Sequence, residues 1–287
     1  MIAKHILEIL RCPACKSDSL MEEDNLLCLN CGRQYHTEGD ILVMIADKDD
    51  EAAIRLSAAA GEKASETLIK RTLHWLYKVL SPPSVVYISG KDKITNFVSS
   101  LGDGAKIVDI GSGSKKRGKD VINLDVFPIL NVDIVFDGRE LPIQDEAVDG
   151  IISTAVLEHV EDPIQLVLEM FRILKEGGQL LVTVPFIEGF HSAPSDFQRY
   201  TIYGLDALFS KFNKIDSGVE AGPSSALAWT MQEWIGSFAE NRRIHRLLLL
   251  IGGWIVQPIK YFDIILAKKR FAHKVAAGLY FVGEKSD

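Results

Sequence analysis

Four cysteines in two CxxC pairs are the first residues whose spacing indicates chemistry. They are Cys12, Cys15, Cys28 and Cys31, and 12 residues separate the two pairs. Each CxxC turn directs two thiolates to one point, and two such turns complete a tetrahedron around zinc. With no fifth cysteine in the sequence and no open position, the pattern predicts a closed, structural zinc site. Metal-free thiols or two disulfides are the alternative.

A glycine loop and two acidic residues form the second chemical group. Gly111 and Gly113 follow the apolar run 106–110, while Asp125 and Asp137 end the next two apolar runs. Glycine lets the backbone approach a ligand closely. One carboxylate can accept hydrogen bonds from vicinal ribose hydroxyls and the other from an exocyclic amine. Because the loop has no dedicated phosphate cradle, this group predicts a site for a cationic nucleoside cofactor.

A parallel sheet would bring these residues together. Strands are predicted at 106–110, 121–125, 134–137, 148–153 and 179–184, with a helix from Asp162 to Lys175 before the last. This alternation predicts an α/β fold with a Rossmann-like, doubly wound, mostly parallel sheet, which binds ligands at the carboxyl ends of its strands. Only 11 residues separate Gly113 from Asp125, so a truncated helix or an irregular loop is expected there. The same shortness argues against a nicotinamide dehydrogenase.

The N-terminal segment resembles a known family of small zinc ribbons. The stretches ILEILRCPAC, LLCLNCGRQY and GDILVMI within residues 6–45 match the activator subunits that hold RNA and protein methyltransferases in active form. Leu42 departs from that family's pattern, which usually has proline there. The resemblance implies that this ribbon packs on a methyltransferase rather than reading DNA.

The central segment, about 105–210, resembles the class I methyltransferases that use S-adenosylmethionine and act on small molecules and glycans (the type 11-like branch). The matching stretches are IVDIGSGS, NLDV, VFDGRELPIQDEAVDGIISTAVLEHVEDP and LKEGGQLLVTVPF. The resemblance implies a cofactor site in which each residue has a role. Gly111, Ser112 and Gly113 would line the methionine part, Asp125 would bind the ribose, Asp137 with Gly138 the adenine, and Thr154 and Ala155 would flank the sulfonium. Asp109 is expected to anchor the loop and help to hold the cofactor's amino group.

The segment 185–201 resembles the part of polysaccharide and natural-product methyltransferases that follows the fifth strand, so it is expected to overhang the methyl group. His191 is a candidate general base, Asp196 would orient it, and Arg199 would hold an acidic group of the acceptor. Alternatively, Asp196 and Arg199 only pair and cap a helix beginning near Tyr203. For His159, a hydrogen bond that locks its own loop is the favoured interpretation.

Four segments follow from these patterns. They are a zinc ribbon (1–46), a helical linker (47–90), the Rossmann-like cofactor-binding core (91–212), and a helical cap with a final sheet strand (213–287). The apolar run 247–256 is too short to span a membrane and is interpreted as a core helix over the active site. Basic and aromatic residues around it also permit peripheral membrane contact through 242–270.

Charge and composition limit the choice of partner. The net charge is −7, which argues against a nucleic-acid partner, although residues 238–287 carry a local charge of +5. The first residues form no apolar signal region, so a cytoplasmic location, with peripheral membrane contact as an option, is expected. The sequence favours an enzyme that methylates a small molecule, a glycan or a lipid-linked sugar. An rRNA or tRNA methyltransferase, or a non-catalytic cofactor-binding scaffold, is the alternative.

Overall fold

The computed structural model describes residues 2–22, 25–46, 79–82, 90–191 and 195–286. The predicted helical linker 47–90 therefore lies outside the described residues, apart from 79–82 and Gly90. The described strands are β1 (Leu20–Glu22), β2 (Leu26–Cys28), β3 (Gln34–Glu38), β4 (Ile41–Val43), β5 (Ile107–Ile110), β6 (Val121–Asp125), β7 (Ile134–Val135), β8 (Val148–Thr154), β9 (Leu174–Pro185), β10 (Phe212–Ala221) and β11 (Gly278–Lys285).

These eleven described strands form one sheet in the order β1-β2-β3-β4-β7-β6-β5-β8-β9-β11-β10. The run from β4 to β9 is parallel, and the strands at both ends of the sheet are antiparallel. Buried β-branched and leucine side chains fill β5, β6 and β8, as a sheet covered on both faces requires. The chain reverses its direction of winding between β5 and β8, where such sheets bind ligands. The predicted α/β, Rossmann-like, mostly parallel fold is confirmed.

The described helices are α1 (Lys4–Leu7), α2 (Gly90–Ser100), α3 (Pro163–Ile173), α4 (Ile202–Leu208), α5 (Pro223–Gly236), α6 (Arg242–Lys260) and α7 (Asp263–Leu266), with short 3-10 turns at Leu157–His159 and Ala272–Lys274. Helix α3 begins as predicted, because the Asp162 side chain accepts a hydrogen bond from the Gln165 N–H and Pro163 occupies the first turn.

The N-terminal ribbon shares both the sheet and the core with the rest of the chain. Strand β4 pairs in parallel with β7, and Leu10 forms an antiparallel bridge with Ile143. Ile9, Leu10 and Met44 are fully buried in the same apolar cluster as the central strands. The ribbon therefore extends the central sheet.

Several element bounds differ from those predicted. Strand β7 ends at Val135, two residues early, because the chain turns away to place Asp137 at the site. Helix α3 ends at Ile173, and β9 begins at once at Leu174, so that the Gly177–Gly178 turn lies within the strand. Residues 114–120 form no helix, as the short crossover between β5 and β6 predicted. Strand β10 was not predicted from the sequence.

The interpretation of the run 247–256 as core is wrong for one face of α6. Gly252, Gly253 and Val256 are buried against α5, but Leu247, Ile251, Trp254 and Ile255 are between 45% and 64% exposed. These exposed positions recur at helical spacing, so they form a continuous apolar stripe facing outward.

Candidate cofactor and acceptor site

The glycine loop after β5 is bent tightly against β6 and β8. Gly111 has a φ of +70° and donates its N–H to the Leu124 carbonyl at 2.8 Å, and Gly113 has a φ of +58°. A Cβ on Gly111 would lie 2.3 Å from a methyl carbon of Val156. Position 111 therefore requires glycine for both its backbone angle and its packing.

Replacing Gly111 with alanine is expected to lower the free energy of unfolding by at least about 2 kcal/mol, from the methyl clash plus left-handed backbone strain. The double variant Gly111→Ala/Val156→Ala removes the clash and should recover all but about 1 kcal/mol of that loss. Urea unfolding of the three proteins measures both effects. No recovery in the double variant would contradict the role of Val156.

Asp125 ties the glycine loop to the end of β6. One carboxylate oxygen accepts the Gly113 N–H at 2.9 Å and the other accepts the Phe127 N–H at 3.0 Å. The side chain is buried but lines a cavity. Since a carboxylate offers about four lone-pair directions, each oxygen keeps capacity for one more donor, such as a ribose hydroxyl.

Asp137 stands at the corresponding position after β7. Its Oδ1 accepts the N–H groups of Arg139 (2.9 Å) and Glu140 (3.3 Å), which fixes the turn that begins at Gly138. Gly138 has a φ of +84°, and a Cβ there would lie 3.1 Å from a methyl carbon of Val126. The turn thus presents a carboxylate and a bare backbone to the same space as Asp125.

One cavity of about 1180 Å³ joins these groups at the carboxyl ends of β5 to β8. Its volume exceeds the roughly 300–1,000 Å³ of ordinary ligand pockets, so it has room for a nucleoside cofactor and an acceptor group. Of the predicted cofactor residues, the structure brings together Gly111, Gly113, Asp125, Asp137, Gly138 and Ala155. Four residues of the ribbon also line it, namely Pro13, Ala14, Lys16 and Ala46.

Asp109, Ser112 and Thr154 are not among the lining residues, although they adjoin the glycine loop. Asp109 is fully buried, and burial raises its pKa to about 6 against the opposing effect of Arg117. The Arg117 guanidinium donates to Asp109 at 3.3 Å and to the Thr154 hydroxyl at 2.8 Å. Arg117 was not predicted to be a site residue. The sequence feature that could have indicated it is the run of basic residues in a crossover that is too short for a helix.

The four cysteines meet at one point in the ribbon. The Sγ atoms of Cys12 and Cys31 are 3.8 Å apart, those of Cys15 and Cys28 are 3.5 Å apart, and all four lie within 4.8 Å of one another. Zinc–sulfur bonds of about 2.3 Å in a tetrahedron place sulfurs about 3.8 Å apart. The set therefore fits zinc. Tyr35, whose pKa is raised by burial and by Cys12, has its hydroxyl 3.0 Å from the Cys12 sulfur.

Asp196 and Arg199 form a bidentate ion pair beside the cavity, and neither is among its lining residues. Arg199 also donates to the carbonyls of Glu188 and Gly189. Asp196 accepts the backbone N–H of His191 at 2.8 Å, while its nearest oxygen is 3.9 Å from the imidazole Nδ1. Thr201, rather than either member of the pair, caps α4. The geometry favours a loop clamp over contact with the acceptor.

Glu158 is the group that the sequence reasoning missed. Its side chain is fully buried, and Oε1 lies 3.8 Å from Nε2 of both His159 and His191. This neighbouring carboxylate raises the pKa of His191 to about 8, which disfavours a general base at neutral pH. His159, not His191, lines the cavity, and its Nδ1 contacts the Ser195 carbonyl, as the loop-locking interpretation expected.

Replacing Asp196 with asparagine should destabilise the protein by about 2 kcal/mol at pH 7, since Arg199 holds the carboxyl pKa at about 2 in the folded state. An acid whose pKa is lower in the folded state stabilises the fold at pH values above its unfolded pKa, which is near 3.9. The difference between wild type and variant should therefore shrink as pH falls from about 4 to about 2. Denaturant unfolding measures this. Asp206→Asn, which breaks an exposed pair with Lys214, is the control and should cost under about 1 kcal/mol.

Comparison with known proteins agrees with a methyltransferase. Residues 90–182, about a third of the chain, match the family described as a methyltransferase domain. The tRNA (carboxymethyluridine(34)-5-O)-methyltransferase of Arabidopsis thaliana is 27% identical over 165 residues, which is 50% of this chain and 41% of that protein. A protein of Homo sapiens named "Probable tRNA methyltransferase 9B" is 29% identical over 136 residues, 41% of this chain and 30% of that one. The matched segments thus span less than half of these relatives.

Solved structures resemble the fold at a distance. The Haemonchus contortus phosphoethanolamine N-methyltransferase 2 in complex with S-adenosyl-L-methionine has a TM-score of 0.46 at 15% identity, covering 74% of this chain and 56% of that chain. A chain from the complex between the Haloferax volcanii Trm112 methyltransferase activator and a methyltransferase has a TM-score of 0.42 at 17% identity. The match covers 69% of this chain and 90% of that chain. At these TM-scores, the resemblance carries no functional information.

The family match and the curated relatives support a class I methyltransferase that uses S-adenosylmethionine. The names of those relatives conflict with the expectation that nucleic acid is not a partner.

Proposed function

We propose that this chain is an S-adenosylmethionine-dependent methyltransferase with a structural zinc ribbon, and that its acceptor is a small molecule or a sugar carried by a membrane lipid. The observation that carries the proposal is the single cavity that the glycine loop, Asp125 and Asp137 share at the strand ends. Two carboxylates suit a cofactor that is cationic and contains no phosphate.

Each residue at this cavity has a defined task. Asp125 binds the ribose hydroxyls through its remaining lone pairs, and Asp137 with the Gly138 backbone meets the adenine. Gly111 and Gly113 let the backbone pass close to the methionine part. The cofactor supplies a methyl group on a sulfonium, which moves to the acceptor by direct displacement. The chain's contribution is alignment of the acceptor and exclusion of water, because positioning lowers such a barrier strongly.

The ribbon's task is to complete the site. Four sulfurs at zinc-compatible distances close the turn that carries Pro13 and Ala14, and this turn lies on the cavity wall. Lys16 in the same turn pairs with Glu140 at 3.0 Å, next to the adenine-binding turn. Zinc would therefore fix one wall of the cofactor site as well as the ribbon itself.

The exposed apolar face of the C-terminal helices favours a lipid-borne acceptor. On α6, Trp254 and Ile255 are 58% and 64% exposed, and Phe262 beyond it is 61% exposed. Among the described residues, no helix is both long and apolar enough to cross a bilayer. Aromatic and aliphatic side chains flanked by arginines and lysines suit a helix that lies on an anionic membrane, and the basic residues here are Arg242, Arg243, Arg246, Lys268, Lys269 and Arg270.

Helix α5 connects this face to the acceptor site. Trp229 packs near the His191 ring, with centroids 6.2 Å apart, while Trp234 on the same helix is 62% exposed. Five residues of helix span about 7.5 Å, so the two tryptophans lie close together along α5. We infer that an acceptor attached to a lipid headgroup approaches the site along this helix.

Sedimentation with lipid vesicles tests the acceptor class. The protein should bind vesicles that contain phosphatidylglycerol better than pure phosphatidylcholine, and each of Arg242→Ala and Arg246→Ala should weaken binding about fivefold. Trp254→Ser/Ile255→Ser should abolish it, whereas Leu130→Ser, which removes an exposed leucine elsewhere, should not. Equal loss in the Leu130 control, or no vesicle binding, would contradict membrane contact.

A tRNA acceptor is the second candidate, favoured by the names of the curated relatives. In that case, the protein should bind tRNA with an affinity that falls steeply with salt and should transfer labelled methyl groups to it. Transfer of labelled methyl groups separates both enzymes from a non-catalytic cofactor-binding scaffold, which would bind S-adenosylhomocysteine without turnover.

A further inference from the structure

Two imidazoles and a buried carboxylate meet beside the cofactor cavity. Glu158 and His159 belong to the 3-10 turn after β8, and His191 follows β9. The Nε2 atom of each imidazole lies 3.8 Å from Glu158 Oε1, and one ligand atom from each residue fits within 4.8 Å. The two imidazole ring centroids are 5.1 Å apart, and the ring planes are nearly perpendicular.

Backbone carbonyls fix the tautomer of both imidazoles. His159 Nδ1 faces the Ser195 carbonyl, and His191 Nδ1 faces the Gly189 carbonyl at 3.2 Å. Because a carbonyl oxygen only accepts, each Nδ1 must donate. In the neutral ring, the Nε2 lone pair then points toward Glu158. Metal-ligating histidines are held in this way by their second nitrogen.

The Glu158 carboxylate has two imidazoles at ion-pair distance but, within the described part of the chain, no hydrogen bond of its own. Its side chain is fully buried, and neither carboxylate oxygen has a hydrogen-bond partner among the described residues. A buried carboxylate without a donor is costly unless it is paired or coordinates a metal. Its position is fixed independently, because the Phe197 N–H donates to the Glu158 backbone carbonyl at 2.7 Å. This carboxylate is therefore held beside both imidazoles without a hydrogen bond from the residues that the structure describes, as a metal ligand would be.

The surrounding charge also favours a cation. Glu188 and Asp196 add two carboxyl groups that act on His191, and the Arg199 guanidinium is engaged by Asp196.

We propose that Glu158, His159 and His191 bind a divalent metal ion next to the cofactor cavity. Three ligand atoms held by metal bonds of about 2.0–2.2 Å lie about 2.8–3.8 Å from one another. The two 3.8 Å separations are at the upper end of this range, and the third pair, which lies within 4.8 Å, must close by up to about 1 Å. Two nitrogens and one oxygen suit Mn²⁺, Fe²⁺ or Co²⁺, and they leave open positions on the ion.

The cavity places those open positions beside the acceptor. His159, Ser195 and Phe197 all line it, so an oxygen of the acceptor could bind the ion while its neighbour faces the methyl group. Only this role rests on the proposed methyltransferase function. Metal binding itself is measurable without turnover.

Titration of the zinc-loaded, full-length protein with Mn²⁺, followed by the loss of the free-ion paramagnetic resonance signal, tests the site. Wild type should bind one Mn²⁺ per chain while its zinc content stays constant. Glu158→Gln and His191→Gln should each weaken binding at least tenfold. Glu161→Gln removes a nearby exposed carboxylate as the matched control and should leave it unchanged.

Affinity for S-adenosylhomocysteine, measured on the same samples by calorimetry, separates this inference from the proposed function. Unchanged cofactor affinity with lost Mn²⁺ binding in Glu158→Gln supports the site. No Mn²⁺ or Co²⁺ bound by wild type, or equal binding by the Glu158 and Glu161 variants, overturns it. If Glu158→Gln does not fold, His191→Gln decides alone. Loss of cofactor binding in wild type would instead count against the methyltransferase function.

Discussion

Asp125→Ala is expected to weaken the binding of S-adenosylhomocysteine by at least about 100-fold. In the proposed cofactor complex the carboxylate would accept two charge-assisted hydrogen bonds from the ribose, each worth about 1.5–3 kcal/mol, and in the structure it accepts the N–H groups of Gly113 and Phe127. Removing it leaves the loop and the sugar without acceptors. Isothermal calorimetry measures the loss directly.

Asp103→Ala is the matched control, since Asp103 is an exposed carboxylate in the turn before β5. The Asp103→Ala variant should bind S-adenosylhomocysteine as tightly as wild type does. Asp125→Asn keeps the shape of the side chain and one of its oxygens, so its affinity for S-adenosylhomocysteine should lie between those of Asp125→Ala and wild type. Wild-type affinity in Asp125→Ala would remove the basis for the ribose assignment and, with it, the cofactor orientation.

Removing zinc is expected to disrupt both the ribbon and the cofactor site. Structural zinc contributes on the order of 10 kcal/mol in small domains, and here the ribbon supplies β4 to the central sheet and four lining residues to the cavity. Cys28→Ser, at a fully buried ligand, should therefore lower the thermal midpoint by more than about 10 °C and weaken cofactor binding.

Leu29→Ser changes the exposed residue between two ligands and should keep both zinc and stability, which separates metal loss from a general effect of mutation in this turn. Zinc content by absorbance assay, thermal unfolding and calorimetry give the three readouts. A zinc-free protein with wild-type stability and affinity would show that the ribbon is independent of the site.

The sequence predicts those parts of the structure in which the pattern of apolar residues along the chain matches the burial of the same residues in the fold. Buried strand β5 is followed by Gly111 and buried strand β6 ends in Asp125, so both strands and the edge of the sheet that carries the candidate site could be predicted from the sequence. Strand β10 could not, because most of its residues are exposed or half-buried and show no apolar run. The run 247–256 was wrongly predicted to be core because its residues are apolar, although one apolar stripe of the helix faces outward.

The missed site residues depend on tertiary contacts. Glu158 lies between Leu157 and His159 in a loop, where an acidic residue is ordinarily solvated, and only the fold buries it. Arg117 reaches Asp109 because the crossover has no helix to carry it away. The pairing of β4 with β7 joins positions such as Leu42 and Ile134, which no local pattern connects.

That pairing has a consequence for biosynthesis. During translation β4 leaves the ribosome before its neighbour β7, which follows about 90 residues later, a delay of roughly 5–20 seconds. Over this interval β4 is an unpaired edge, which is the feature through which nascent chains associate. Early capture of zinc by the four cysteines would keep the ribbon folded until its place in the sheet exists.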